Sequence, residues 1–72
     1  MPGQLRRQFG ARLKAIRLER RLTQEQLAEA IGMSVDFLSL IERGRNAPSF
    51  EMLEHISDAV ELPVAALFSF KD

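Results

Sequence analysis

The feature that most constrains the fold is a pair of short helices predicted on either side of a three-residue turn. Thr23 and Gln26 make a Thr-x-x-Gln capping box, in which the hydroxyl accepts from an amide of the first turn and the glutamine reaches back to the cap. Gly32 ends this helix because glycine readily takes the left-handed conformation that follows a helix. Ser34 caps the next helix, which is predicted over about 35–43. Two helices joined so closely must pack together as one unit.

Three further helices are predicted from spacing and caps. Spacings of four, four and three residues place four apolar side chains on one face of a first helix: Leu5, Phe9, Leu13 and Ile16. Gly10 weakens this helix by up to ~1 kcal/mol, so it is expected to be firm only over about 10–20. Ser49 caps a fourth helix, and Pro63 begins a short last helix that ends near Phe68. Because no segment alternates with a period of two, the predicted fold class is all-α, with five helices.

The length of 72 residues leaves room for one domain, predicted over 1–72 with its core at about 9–68. A compact chain of this size has a radius of gyration of about 11 Å. With 46% hydrophobic and 28% charged residues, the chain has the composition of a globular protein. A core this small is near the limit for a domain that stands alone, which favours oligomerisation.

The chain offers few residue types for catalysis or metal binding. It has no cysteine and one histidine, His55, so we expect no metal site, no cofactor and no catalytic residue. Four acids of the fourth helix and its end are interpreted as a solvated face: Glu51, Glu54, Asp58 and Glu61. The protein is therefore predicted not to be an enzyme.

The apolar segments are too short for a membrane protein. The longest uninterrupted run covers 64–68, against the ~20 residues that cross a bilayer. The N-terminal residues include no apolar region of a secretory signal. A cytoplasmic location is the expectation.

The net charge of zero conceals a division along the chain. Residues 1–45 carry nine basic and five acidic side chains, a balance of +4, and residues 46–72 carry one basic and five acidic, a balance of −4. Such a division allows a neutral domain to present a basic face to a polyanion. Ordinary solvated charge explains it equally well.

The spacing of the second and third helices is that of a helix-turn-helix, in which the second helix enters the DNA major groove. Any compact α-helical hairpin shares part of this pattern. The chain also resembles the Cro/phage-repressor (XRE-type) helix-turn-helix family over about 9–68. The resemblance lies in Leu22-Thr23-Gln24-Glu25-Gln26-Leu27-Ala28, Ile31-Gly32-Met33-Ser34, Ile41-Glu42-Arg43-Gly44 and Pro48-Ser49.

The resemblance implies a compact five-helix, lambda-repressor-like domain that binds double-stranded DNA as a homodimer, and it does not itself imply a small-molecule ligand. The base-reading positions of the family match Val35, Asp36, Ser39 and Leu40. Its phosphate-contacting positions match Gln24 and Arg43, and Thr23, Phe37 and Arg45 are further candidates for phosphate contact beside them. A partly buried ion pair of the family, which is structural, matches Arg17 and Glu42.

Each of these assignments has a plainer alternative. Gln24 belongs to a helix start, where capping is enough to explain it, and Arg43 and Arg45 are equally suited to solvent. Asp36 accepts hydrogen bonds only, which suits the amino group of cytosine, but an acid in a first turn is also stabilised by the helix dipole. Phe37 either lies against the sugar-phosphate backbone or packs on the second helix.

The C-terminal residues are richer in apolar side chains than a short helix needs. One interpretation is a dimer interface that contains Val64, Phe68 and Phe70. The other is that Phe68 completes the core and Phe70 is a frayed end.

Together these patterns predict a dimeric, sequence-specific DNA-binding transcriptional regulator that recognises an inverted repeat. One alternative is a controller protein of a restriction–modification operon, which shares the chemistry and differs in target. The other is a protein-interaction module that keeps the scaffold and has lost strong DNA reading.

Overall fold

The computed structural model describes residues 3–70, which form four α-helices and one 3₁₀ helix and contain no strand. The α-helices are α1 (Gln4–Glu19), α2 (Gln24–Ile31), α3 (Val35–Glu42) and α4 (Phe50–Val60), and the 3₁₀ helix spans Val64–Phe68. The all-α class is confirmed. The predicted domain limits at 1 and 72 lie outside the described residues.

The predicted caps of the three central helices are all present. The capping box of α2 is complete, with 3.0 Å between Gln26 N and Thr23 Oγ1 and 2.9 Å between Thr23 N and Gln26 Oε1. Ser34 and Ser49 each accept a hydrogen bond from the third residue of their helix. Gly32 ends α2 in the left-handed conformation, at a φ of 90°.

The first helix was predicted to be firm only from about residue 10, and this prediction was wrong. Helix α1 is continuous from Gln4, and Gly10 lies buried inside it. A Cβ at Gly10 would lie 2.2 Å from the carbonyl oxygen of Ile41 and 2.7 Å from that of Glu42. The glycine therefore allows α1 and α3 to approach closely, and this contact outweighs its low helix propensity.

The predicted count of five helices is not confirmed: residues 3–70 form four α-helices, and the segment predicted as the fifth helix is a 3₁₀ helix at Val64–Phe68. Its hydrogen bonds join residues three apart, from Ala66 N to Pro63 O (2.9 Å) and from Ser69 N to Ala66 O (3.3 Å). Arg12 of α1 holds this segment through a 3.1 Å bond from Nε to the carbonyl oxygen of Ala66.

A single hydrophobic core connects the five elements. Its members come from all of them: Phe9, Leu13, Ile16, Leu27, Ala28, Ile31, Leu38, Ile41, Leu53, Ile56, Val60 and Leu67. The radius of gyration is 11.0 Å, as the chain length predicts. Within residues 3–70, no helix is both long enough and apolar enough to span a bilayer.

Candidate DNA-binding surface

Helices α2 and α3 form a compact pair about the turn at residues 32–34. The amides of Gly32 and Met33 both donate to the carbonyl oxygen of Ala28, at 2.8 and 3.0 Å, which closes the end of α2. Leu38 and Ile41 on the inner side of α3 are fully buried. The geometry is that of a helix-turn-helix, and it leaves the opposite side of α3 to face outward.

The four predicted base-reading residues differ in exposure. Asp36 is exposed, whereas Val35, Ser39 and Leu40 are half-buried. Val35 also packs against the core, so only part of its side chain is available to a ligand. The outward side of α3 thus presents one carboxylate, one hydroxyl and apolar surface.

Phe37 is half-buried and packs against the hydrophobic core. The amide of this residue donates to the Ser34 hydroxyl at 3.1 Å, so it belongs to the capped first turn of α3. This position agrees with the packing alternative for Phe37. Its contact with a DNA backbone stays a prediction.

Arg17 and Glu42 form a buried, bidentate ion pair between α1 and the end of α3. The distances are 2.7 Å from Arg17 Nε to Glu42 Oε2 and 3.1 Å from Arg17 Nη2 to Glu42 Oε1. The third nitrogen, Nη1, donates to the carbonyl oxygen of Leu22 at 2.8 Å, just before α2. One guanidinium thus joins α1, α3 and the start of α2, and its charge is both paired and hydrogen-bonded.

Gln24 belongs to this network, which the sequence did not reveal. Its Nε2 donates to Glu42 Oε1 at 3.0 Å. One of the two Nε2 hydrogens is therefore engaged within the protein, which leaves the second for another partner. Nothing in the residue pattern distinguishes a glutamine held by a buried glutamate from one that only caps a helix.

The remaining predicted phosphate-binding residues surround the ends of the two helices. Thr23 is exposed at the start of α2, with its hydroxyl oxygen already accepting the capping bond. Arg43 and Arg45 are exposed where α3 ends, and Arg43 Nε lies 3.4 Å from the carbonyl oxygen of Ser39. The structure therefore keeps both arginines on the surface beside α3.

The predicted dimer residues are only partly exposed. Val64 is 36% exposed, and Phe68 and Phe70 are half-buried. The ring centroid of Phe68 lies 5.1 Å from that of Phe9 and 6.1 Å from that of Phe70. Phe68 therefore packs against the core through Phe9. Of the three, Val64 belongs least to the interior.

Two exposed residues of α4, His55 and Phe50, lie outside the predicted site. His55 is exposed on α4, and its Nδ1 lies 3.3 Å from the carbonyl oxygen of Ile31, which connects α4 to the end of α2. Phe50, the first residue of α4, is 87% exposed. Phe50 belongs to none of the predicted sites, and its exposure is visible only in the structure.

A small all-α domain with a helix-turn-helix whose second helix faces outward defines a class of DNA-binding proteins. Residues 8–68 match the family described as "Helix-turn-helix domain". The chain belongs to this family, and its relatives are phage immunity repressors and transcriptional regulators of the Cro/phage-repressor (XRE) type.

One relative is a phage repressor. The immunity repressor protein of Bacillus phage phi105 is 48% identical over 58 residues, which are 81% of this chain and 40% of that protein. The chain thus spans less than half of the length of this repressor.

Solved structures show the same fold. The clp gene regulator ClgR from Corynebacterium glutamicum superposes with a TM-score of 0.85 at 38% identity, over 89% of this chain and 82% of that chain. The restriction-modification controller protein C.AhdI from Aeromonas hydrophila has a TM-score of 0.83 at 27% identity, over 86% of this chain and 94% of that chain.

Proposed function

We propose that this protein is a sequence-specific transcriptional regulator that binds an inverted-repeat DNA site as a homodimer, with α3 in the major groove. The observation that carries the proposal is the outward side of α3, which presents Asp36 and Ser39 while Arg43 and Arg45 lie exposed at its end. Base edges are read by such a face, and phosphates are held by the flanking cations and helix-terminal amides.

The proposal assigns separate tasks to the two sets of residues. Asp36 accepts from the amino group of a cytosine, and Val35 and Leu40 touch thymine methyl groups. Gln24, Arg43, Arg45 and the first amides of α2 hold phosphates, with Thr23 and Phe37 beside them. Because each base contact discriminates by at most ~1–3 kcal/mol, two subunits on two half-sites are needed for an operator.

Selection from random duplexes, followed by a gel shift at several salt concentrations, tests the proposal. Selected sites are expected to be inverted repeats with half-site centres about 10 base pairs apart. If each subunit neutralises two or three phosphates, a plot of log K, where K is the association constant of the dimer for DNA, against log[salt] should have a slope of about −4 to −5. A slope near zero on the best duplex contradicts DNA binding.

A controller protein of a restriction–modification operon is the second candidate. Its support is the match to 94% of the length of such a controller. This candidate uses the same surface, so only the selected DNA sequence, compared with promoters of neighbouring restriction and modification genes, separates the two.

A protein-interaction module is the third candidate, and it rests on the apolar part of the α3 surface. Val35, Phe37 and Leu40 are half-buried and offer no hydrogen bond to a base. Retention on heparin together with a steep salt dependence on duplex DNA excludes this candidate as the main function.

A further inference from the structure

The first turn of α1 lies against the turn that follows α3. Gly44 has a φ of +74°, and a Cβ on it would lie 2.8 Å from the Cα of Arg7 and 2.7 Å from its Cγ. Only a residue without a side chain allows this approach. The backbone of Arg7 is thereby fixed beside the segment that carries Arg43 and Arg45.

This packing creates a concentration of positive charge. Arg7, Arg43 and Arg45 are all exposed, and Gly44 separates the last two along the chain. Within residues 3–70, the Arg17–Glu42 pair is the one ion pair with a nitrogen–oxygen distance of 4.0 Å or less. None of the three exposed arginines therefore forms an ion pair within residues 3–70.

The position of Arg7 in its helix adds to this potential. The first turn of α1 contains no acid, although the N-terminal end of a helix carries a partial positive charge that favours acids and disfavours bases. Arg7 is thus unfavourably placed for the folded domain by itself. An anion bound here would reduce the repulsion among the three arginines and the repulsion between Arg7 and the positive end of the α1 dipole.

We propose that Arg7 binds a DNA phosphate and extends the backbone contact of each subunit from the end of α3 to the first turn of α1. The inference rests on the proposed function, since it takes the DNA to lie along Arg43 and Arg45. Arg7 carries no sequence information in this role, and it fixes how the domain sits on the duplex.

The test compares Arg7→Gln with Gln8→Glu. Both substitutions change the net charge by −1 at adjacent exposed positions of α1. Because Gln8 lines a groove with Phe70, a residue of the candidate dimer interface, light scattering must show that Gln8→Glu keeps the mass of the parent. The steepness of log K against log[salt] should fall by about 0.9 per half-site in Arg7→Gln and stay unchanged in Gln8→Glu. Affinity at 0.1 M salt should fall by about eightfold per half-site in Arg7→Gln from counterion release alone.

Two further measurements make the result decisive. The melting temperature of Arg7→Gln should equal or exceed that of the parent, because a base leaves a helix N-terminus, so weaker binding cannot be ascribed to unfolding. Arg7→Lys should keep the salt slope of the parent. Equal slopes and equal loss of affinity in Arg7→Gln and Gln8→Glu would overturn the phosphate contact while leaving the proposed function intact. A parent protein with no salt-dependent binding would overturn both.

Discussion

At Gly10, the backbone of α1 lies against carbonyl oxygens of α3. A methyl group at this position would meet the oxygens of Ile41 and Glu42 at 2.2 and 2.7 Å. Both are backbone atoms, which have no rotamer by which to move aside. The two helices must therefore separate to admit the methyl group, and the nearby Arg17–Glu42 pair would be disturbed with them.

Gly10→Ala should therefore destabilise the domain, although alanine is the better helix former by up to ~1 kcal/mol. Overpacking of a tight contact costs about 1–3 kcal/mol or more, and we expect a net loss of about 2 kcal/mol in the free energy of unfolding. Urea denaturation measures this loss, and Lys14→Ala on the exposed side of α1 is the control, with a change near zero. A gain in stability for Gly10→Ala would show that α1 and α3 leave room for a methyl group at this position.

The buried carboxylate of Glu42 is the acceptor for both Arg17 and Gln24. Glu42→Ala leaves the Arg17 guanidinium buried without its partner, and removing one member of such a pair costs about 3–5 kcal/mol. This is a large part of the ~5–15 kcal/mol that stabilises a whole domain. Thermal unfolding should show a fall of many degrees, whereas Glu54→Ala, at an exposed position of α4, should leave the melting temperature within about two degrees. A change that small in Glu42→Ala would contradict the pair.

At the scale of elements, α3 combines two tasks that substitution can separate. Arg43 follows the last residue of the helix, where it is proposed to hold a phosphate, and Asp36 lies in the first turn, where it is proposed to accept from a cytosine. A phosphate contact acts equally on every sequence, whereas a base contact acts at one position of the half-site.

Arg43→Ala should therefore weaken binding to all duplexes by a similar factor and lower the salt slope by about 0.9 per half-site. Asp36→Ala should keep the slope and relax the preference at one base pair, by about 1–3 kcal/mol of discrimination. Parallel selections with the two variants and the parent measure both effects. If the sequence preference is unchanged in Asp36→Ala, the Asp36 carboxylate does not read a base and only stabilises the first turn of α3 through the helix dipole.

The elements that sequence could predict are those governed by local rules. Caps at Thr23, Ser34 and Ser49 depend on residues three apart, and the pattern therefore located α2, α3 and α4. Gly10 was misjudged because its effect comes from a contact with α3, about thirty residues away in the chain. The Gln24–Glu42 bond was missed for the same reason, since 18 residues separate its partners. The packing of Phe37 likewise depends on where the core lies.

At the scale of the whole molecule, the C-terminal residues connect the fold to the proposed dimer. Phe68 lies against Phe9 of the core, so a substitution there would test stability as much as association. Val64 is 36% exposed and begins the 3₁₀ helix, outside the fully buried set. It is therefore the position at which the interface can be changed with the least damage to the interior.

Val64→Glu should give a folded monomer, because a carboxylate in an apolar interface loses its hydration without gaining a partner. Specific binding to the inverted repeat should collapse, while weak, salt-sensitive binding persists, since a single α3 makes too few base contacts for an operator. Light scattering measures the mass and a gel shift the affinity, with Ala30→Glu on the exposed side of α2 as the charge-matched control that stays dimeric. A parent that is monomeric at tens of micromolar and still binds one half-site tightly would contradict the dimer, as would a Val64→Glu protein that remains dimeric.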